Sequence, residues 1–156
     1  YKIAIVEDEI QYQKMFESYI NKYSKEKGEP ISISIFNDGL DITENYEPSW
    51  DAILLDIRMK NQDGMSAAHV IREHDKDVAI MFITTLAQYV INGYEVGALD
   101  YVLKPVEYDK FAMRFERLKL TGMPNDVMIR ILLTIVSILL TALLTFFNIK
   151  RWKKAN

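Results

Sequence analysis

No cysteine occurs among the 156 residues, so neither a disulfide framework nor a thiolate metal site is available. Histidine is scarce, and nothing pairs His69 and His74 as metal ligands or as a catalytic base; both are expected to be solvated or capping. No internal repeat and no low-complexity linker interrupts the chain. The turn after the first apolar run carries Glu7 and Asp8 where a dinucleotide-binding turn would need glycines, and a pyrophosphate there would meet negative charge. What remains is 49% hydrophobic and 26% charged, a globular composition. The run Tyr1 to Val6 reads directly as a strand, so no cleavable signal peptide is expected and the cysteine-free composition is compatible with a reducing cytosol.

The net charge of -3 conceals a division. Through Lys119 there are 14 basic and 21 acidic residues, a balance of -7; from Leu120 onward 5 basic residues stand against Asp126 alone, a balance of +4. An acidic body argues against nonspecific nucleic-acid binding, so no direct nucleic-acid partner is expected. The basic end adjoins a very apolar segment, which suggests a membrane surface.

Short apolar runs recur at Ile3–Val6, Ile31–Phe36, Ala52–Leu55, Val78–Ile83 and Leu99–Leu103. Most are continuous, as strands covered on both faces should be. In the second, Ile31, Ile33 and Ile35 alternate with serines, the pattern of a half-exposed edge. Helix-length segments lie between them: Glu9–Ser24, with Ile10, Met15, Phe16, Tyr19, Ile20 and Tyr23 largely on one stripe, then 38–46, 64–74, 86–97 and 107–119. Alternating strands and helices imply a five-stranded parallel sheet between helices, an α/β flavodoxin-like (βα)5 arrangement of order 2-1-3-4-5. Its site should lie at the carboxyl ends of the strands.

Those ends are polar. Glu7 and Asp8 follow the first strand, Asp56 ends the third, Thr84 the fourth, and Lys104 follows the fifth. One acidic residue at a strand end is commonly a helix cap or a solvated charge. Five compatible residues at converging ends are a set. Three close carboxylates repel one another unless a cation resolves the conflict, and Mg²⁺ accepts oxygen ligands, water and phosphate together. Lys104 supplies a counter-charge for a phosphoryl group and Thr84 a hydroxyl donor. Phosphoryl transfer asks mainly for such positioning and charge neutralisation.

The sequence resembles the response-regulator receiver domain over residues 1–119. The pieces that carry the likeness are Ile5-Val6-Glu7-Asp8-Glu9, Leu54-Leu55-Asp56-Ile57-Arg58-Met59 with Asp63-Gly64, Phe82-Ile83-Thr84-Thr85, and Asp100-Tyr101-Val102-Leu103-Lys104-Pro105. The phrase Gly93 to Tyr101 is similar to receivers of LytTR-type transcriptional regulators. The resemblance implies that Asp56 accepts a phosphoryl group from a sensor histidine kinase in the cytoplasm, as a signalling domain and not a turnover enzyme. It implies Mg²⁺ held by Glu7, Asp8, Asp56 and the backbone carbonyl of Arg58. Thr84 would be the switch hydroxyl, with Thr85 beside it as the alternative, and Tyr101 the switch aromatic. Lys104 would contact the phosphate, and its bond to Pro105 is expected to be cis. Lys60 departs from the family, which carries proline there, so a changed loop stiffness or kinase contact is expected. Tyr89, Tyr94 and Tyr101 are candidates for a homodimer face formed by the 86–97 helix, the fifth strand and the last helix; Tyr89 and Tyr94 also read as ordinary half-buried aromatics.

Residues 120–126 read as a turn that ends the last helix. Val127–Ile149 holds one charge, Arg130, and as a helix would measure about 35 Å, enough to cross a membrane. Thr134, Ser137, Thr141, Thr145 and Asn148 draw a narrow polar stripe down it, a contact face between membrane helices or the exposed side of a core helix. A basic tail, 150–156, follows with Trp152 as an interfacial anchor. A cytoplasmic receiver would place this basic cluster outside, against the positive-inside tendency, although Lys110, Arg114, Arg117 and Lys119 make the other flank basic too. Met128-Ile129-Arg130 before the apolar run also resembles the start of a small membrane protein, so a fused reading frame is a second explanation. The readings carried forward are a phosphorelay receiver, a membrane-tethered interaction module, and a LytTR-type regulator lacking its DNA-binding domain.

Overall fold

The computed structural model describes residues 1–89, 95–121, 132, 134–141 and 143. The chain divides into two compact units, Tyr1–Gly122 and Met123–Asn156.

In the first unit the strands are β1 (Lys2–Val6), β2 (Ser32–Phe36), β3 (Ala52–Leu55), β4 (Ala79–Thr84) and β5 (Asp100–Leu103). They pair in the order β2-β1-β3-β4-β5, all parallel. The helices are α1 (Ile10–Lys27), α2 (Gly39–Thr43), α3 (Gly64–His74) and α4 (Tyr108–Thr121), with a 3-10 turn at Ala87–Tyr89. The topology expected from the alternating pattern is present; β3 and α3 have the expected bounds, and the bounds of the other strands and of α1, α2 and α4 shift by at most three residues. Of the expected 86–97 helix, Ala87–Tyr89 form only a 3-10 turn and 95–97 are turn rather than helix, with Gly97 at φ 60°; 90–94 lie outside the described residues.

Successive side chains of a strand point to opposite faces. Ile3, Ile5, Leu54, Met81 and Ile83 therefore pack beneath Phe16, Ile20 and Tyr23 of α1 and Phe111 and Phe115 of α4. Ala4, Val6, Ile53, Leu55, Ile80 and Phe82 pack beneath Ile42, Ala68 and Ile71 of α2 and α3. Two covered faces explain the unbroken apolar runs of β1, β3 and β4. As the alternation of its sequence implies, β2 is a half-exposed edge, but burial does not follow the alternation: Ile35 is exposed while Ser34 is half-buried.

The stripe read for α1 needs one correction. Ile10 is 63% exposed, whereas Gln13 is buried. Gln13 can be buried because its amide is satisfied: Nε2 donates to the Glu7 carbonyl at 2.6 Å and to Asn37 Oδ1 at 2.9 Å. The helix ends at Gly28 in the left-handed region, φ 67°, whose N–H donates to the Ser24 carbonyl. On the face covered by α3, Arg72 donates to the carbonyls of Val96 and Gly97 and so pins the segment leading into β5.

In the second unit, residues 132, 134–141 and 143 are helical, with Leu132, Ile135, Val136, Ile138, Leu139, Leu140 and Leu143 exposed. Among the described residues no helix is long and apolar enough to cross a membrane. Most of the 127–149 span expected from the sequence lies outside the described residues.

Candidate phosphoacceptor site

Parallel registration brings the polar strand ends together. Val6, Leu55 and Phe82 are aligned across β1, β3 and β4, so Glu7 and Asp56 occupy the next positions on neighbouring strands. The Glu7 N–H donates to the Phe36 carbonyl and the Asp56 N–H to the Val6 carbonyl, which fixes both backbones. On the other side the Lys104 N–H donates to the Thr84 carbonyl at 2.9 Å.

Glu7 and Asp56 are 2% and 5% exposed, and Asp8 is exposed. One carboxylate oxygen from each lies within 4.8 Å of the others. Lys104 reaches this group with a side chain only 1% exposed; its Nζ is 2.5 Å from Glu7 Oε2 and 3.3 Å from Asp56 Oδ2. Asp56 Oδ1 accepts the Ile57 N–H at 2.8 Å, leaving Oδ2 toward the lysine. Burial pushes the Glu7 carboxyl up to about 7, against the lowering effect of Lys104, while the nearby Asp56 charge adds to the rise. One ammonium does not neutralise three carboxylates. The donor set is all oxygen, clustered and in excess negative charge, which fits a hard divalent ion.

Thr84 is fully buried, and its hydroxyl oxygen accepts the Leu86 N–H at 3.4 Å; Thr85 beside it is exposed. Tyr101 is half-buried against the Phe82 ring, and its hydroxyl donates to the Leu86 carbonyl. Both residues thus meet the same loop after β4. Arg58 has an exposed side chain two residues beyond Asp56. The Lys104–Pro105 bond is cis, as the sequence implied. Tyr94 and the side chain of Tyr89 lie outside the described residues. His69 is exposed on α3, and His74 Nδ1 lies 2.9 Å from the Val70 carbonyl, so neither joins the site.

Three supporting residues carry no signal of their role in the sequence. Gly64 is one half of a quoted motif, but its reason is spatial: a Cβ there would lie 2.0 Å from the Asp56 carbonyl oxygen. Asp38 is buried, with Oδ1 accepting from the N–H groups of Leu40 and Gln62 and Oδ2 from that of Asn61. Its carboxylate therefore holds the loop containing Lys60. Burial raises the Asp38 pKa, but the backbone donors outweigh it and the net shift is downward. Tyr12, on the first turn of α1, places its ring beneath Lys104.

A doubly wound α/β domain with a buried lysine bridging carboxylates at the ends of its central strands defines a class of phosphate-handling switches. The profile of the response regulator receiver domain matches residues 3–116, and the chain belongs to that family. Its relatives include LytTR-type regulators. Protein MrkE of Klebsiella pneumoniae is 31% identical over 118 residues, 75% of this chain and 42% of MrkE. Sensory transduction protein LytT of Bacillus anthracis is 27% identical over 122 residues, 76% of this chain and 47% of LytT. The chain thus spans under half the length of these relatives. Among solved structures, the response regulatory domain of MrkE superposes with a TM-score of 0.68 at 30% identity, covering 78% of this chain and 98% of that one. The receiver domain of sensor histidine kinase PA1611 from Pseudomonas aeruginosa, described with magnesium coordinated in its active site cleft, superposes at 0.65 with 26% identity, covering 76% and 96%. Residues 3–116 are a receiver domain of the two-component response regulators, a signalling domain.

Proposed function

We propose that Asp56 is the phosphoacceptor and that a sensor histidine kinase is the donor. The observation that carries this is the buried Lys104 ammonium lying between Glu7 and Asp56 at adjoining strand ends. An Asp56 carboxylate oxygen forms a bond to phosphorus as the P–N bond to the kinase histidine breaks, the departing nitrogen keeping the electron pair. The domain's own residues align this exchange, so phosphotransfer is self-catalysed in the receiver. Glu7, Asp8, Asp56 and the Arg58 carbonyl would hold Mg²⁺, which when bound neutralises charge on the phosphoryl oxygens. Lys104 contacts one phosphoryl oxygen, and the Thr84 hydroxyl takes another. Because Thr84 and Tyr101 share the loop at Leu86, a movement of one is felt by the other.

Acetyl phosphate with Mg²⁺ is expected to add one phosphoryl group to the wild-type chain, read by intact-mass spectrometry. Asp56→Asn, or chelation of the metal, should abolish the addition. A phosphoryl group found on Asp56→Asn would remove Asp56 from the role.

The output is a separate matter. We infer that the apolar C-terminal segment anchors the cytoplasmic receiver at a membrane, supported by the uncharged run Ile131–Ile149 and the basic cluster with Trp152 after it. A homodimer through the face around β5 and α4 is the companion proposal, supported by the exposed Leu103 and Met113 there. A second reading, a membrane-tethered docking module, draws on the same tail. It predicts partner binding that phosphorylation leaves unchanged.

A further inference from the structure

We infer that Tyr12 is a positioning residue for phosphoryl transfer, its ring serving as the seat of the Lys104 ammonium. This rests on the reading of Asp56 as phosphoacceptor. An ammonium has three N–H directions. Lys104 directs Nζ toward Glu7 Oε2 at 2.5 Å and Asp56 Oδ2 at 3.3 Å, and the Tyr12 ring centroid lies 4.0 Å from the same nitrogen. The three neighbours leave the lysine side chain 1% exposed.

The choice of an aromatic ring has a chemical consequence. A third carboxylate would attract the ammonium equally, but it would compete for the metal and repel a phosphoryl group. Water would leave the flexible lysine stem free to swing away. The negative face of a ring attracts the cation without a formal charge and excludes water on that side. The ring is itself held: it stacks on Phe16 at 6.2 Å, Phe16 stacks on Phe111 at 5.9 Å, and Phe111 on Phe115 at 5.3 Å. Lys104 thus rests on a column anchored in the interface of α1 and α4, and its ammonium stays where the transferred phosphoryl oxygens arrive.

The test compares phosphorylation rates of the full chain with acetyl phosphate at saturating Mg²⁺ for wild type, Tyr12→Phe, Tyr12→Leu and Tyr12→Met. Tyr12→Phe keeps the ring face and should stay within about twofold of wild type. Tyr12→Leu and Tyr12→Met keep bulk but lose the face, and should be about three- to tenfold slower. The Lys104 ε-methylene proton resonances should lie upfield in wild type and Tyr12→Phe and return to ordinary positions in the other two. If Tyr12→Leu does not fold, Tyr12→Met and the wild-type spectrum still decide the matter. Equal rates for all four proteins, a Tyr12→Phe as slow as Tyr12→Leu, or an unshifted wild-type resonance would overturn the inference. Phosphorylation of an Asp56→Asn control would instead condemn the acceptor assignment, independently of the ring.

Discussion

A single atom's worth of space at Gly64 separates the present Asp56 backbone from a displaced one. The absent Cβ would stand 2.0 Å from the Asp56 carbonyl oxygen and 3.0 Å from the Ile57 Cα, both backbone and both unable to rotate away. Gly64→Ala should therefore cost about 1–3 kcal/mol by overpacking and move Asp56 as well. A fall in the urea midpoint together with slower phosphorylation by acetyl phosphate is the expected result; lost stability with an unchanged rate would separate the glycine from the site. The sequence displayed Asp63-Gly64 as a motif but not this reason, because the close approach joins α3 to β3 in space. Gln13 and Tyr12 were illegible for the same cause. A glutamine on an apolar stripe reads as solvent-facing until its amide partners are known, and the tyrosine counts only once Lys104 lies above it.

The elements themselves were more readable. β1, β3 and β4 declared two-sided burial by their unbroken apolar runs, and β2 declared its edge by alternation. Helix lengths were less well marked. The 38–46 segment shortens to Gly39–Thr43 because the Asp38 side chain caps it and the chain turns at Asn45 with φ 60°. Asp38 also joins this helix to the Asn61–Gln62 backbone, so Asp38→Ala should loosen the start of α2 and the loop beyond the acceptor, at about 1–3 kcal/mol. Its folded pKa is lowered, so its contribution is present above the unfolded carboxylate value near 4 and is lost as pH falls through the lower folded value. The gap between wild-type and Asp38→Ala urea midpoints should be full at about pH 7 and shrink at about pH 3. A gap that widens on acidification would show that the carboxylate is not the charged partner of those N–H groups.

At the scale of the whole chain, two regions of opposite charge are joined at about residue 120. The acidic part is a receiver; the basic, apolar part has no place in the matched profile, which ends at residue 116. The membrane proposal predicts that the full chain stays with the membrane pellet after carbonate extraction, while residues 1–119 wash free. Replacing Lys150, Arg151, Lys153 and Lys154 by glutamine should weaken capture by phosphatidylserine vesicles by about 1 kcal/mol per residue. Full recovery of the intact chain in the carbonate supernatant contradicts anchoring. The convergence of Glu7, Asp8, Asp56 and Lys104 was legible from strand ends, because a parallel sheet gathers them whatever lies between. The tail offered only hydropathy and charge, which constrain a solvent environment and leave a function open.

The lysine that completes the site is 97 residues from Glu7 along the chain. During synthesis the first and third strands carry their carboxylates into the sheet long before their counter-charge is made. A chain ending before residue 104 would have to bury Glu7 and Asp56 against each other without the ammonium that lies between them in the finished fold. Burial and repulsion both oppose that arrangement, so a chain ending before β5 is expected to be cut by trypsin faster than the full receiver in limited proteolysis; equal resistance would contradict this. The ion pairs of Lys104 would thereby make the compact state depend on a finished fold.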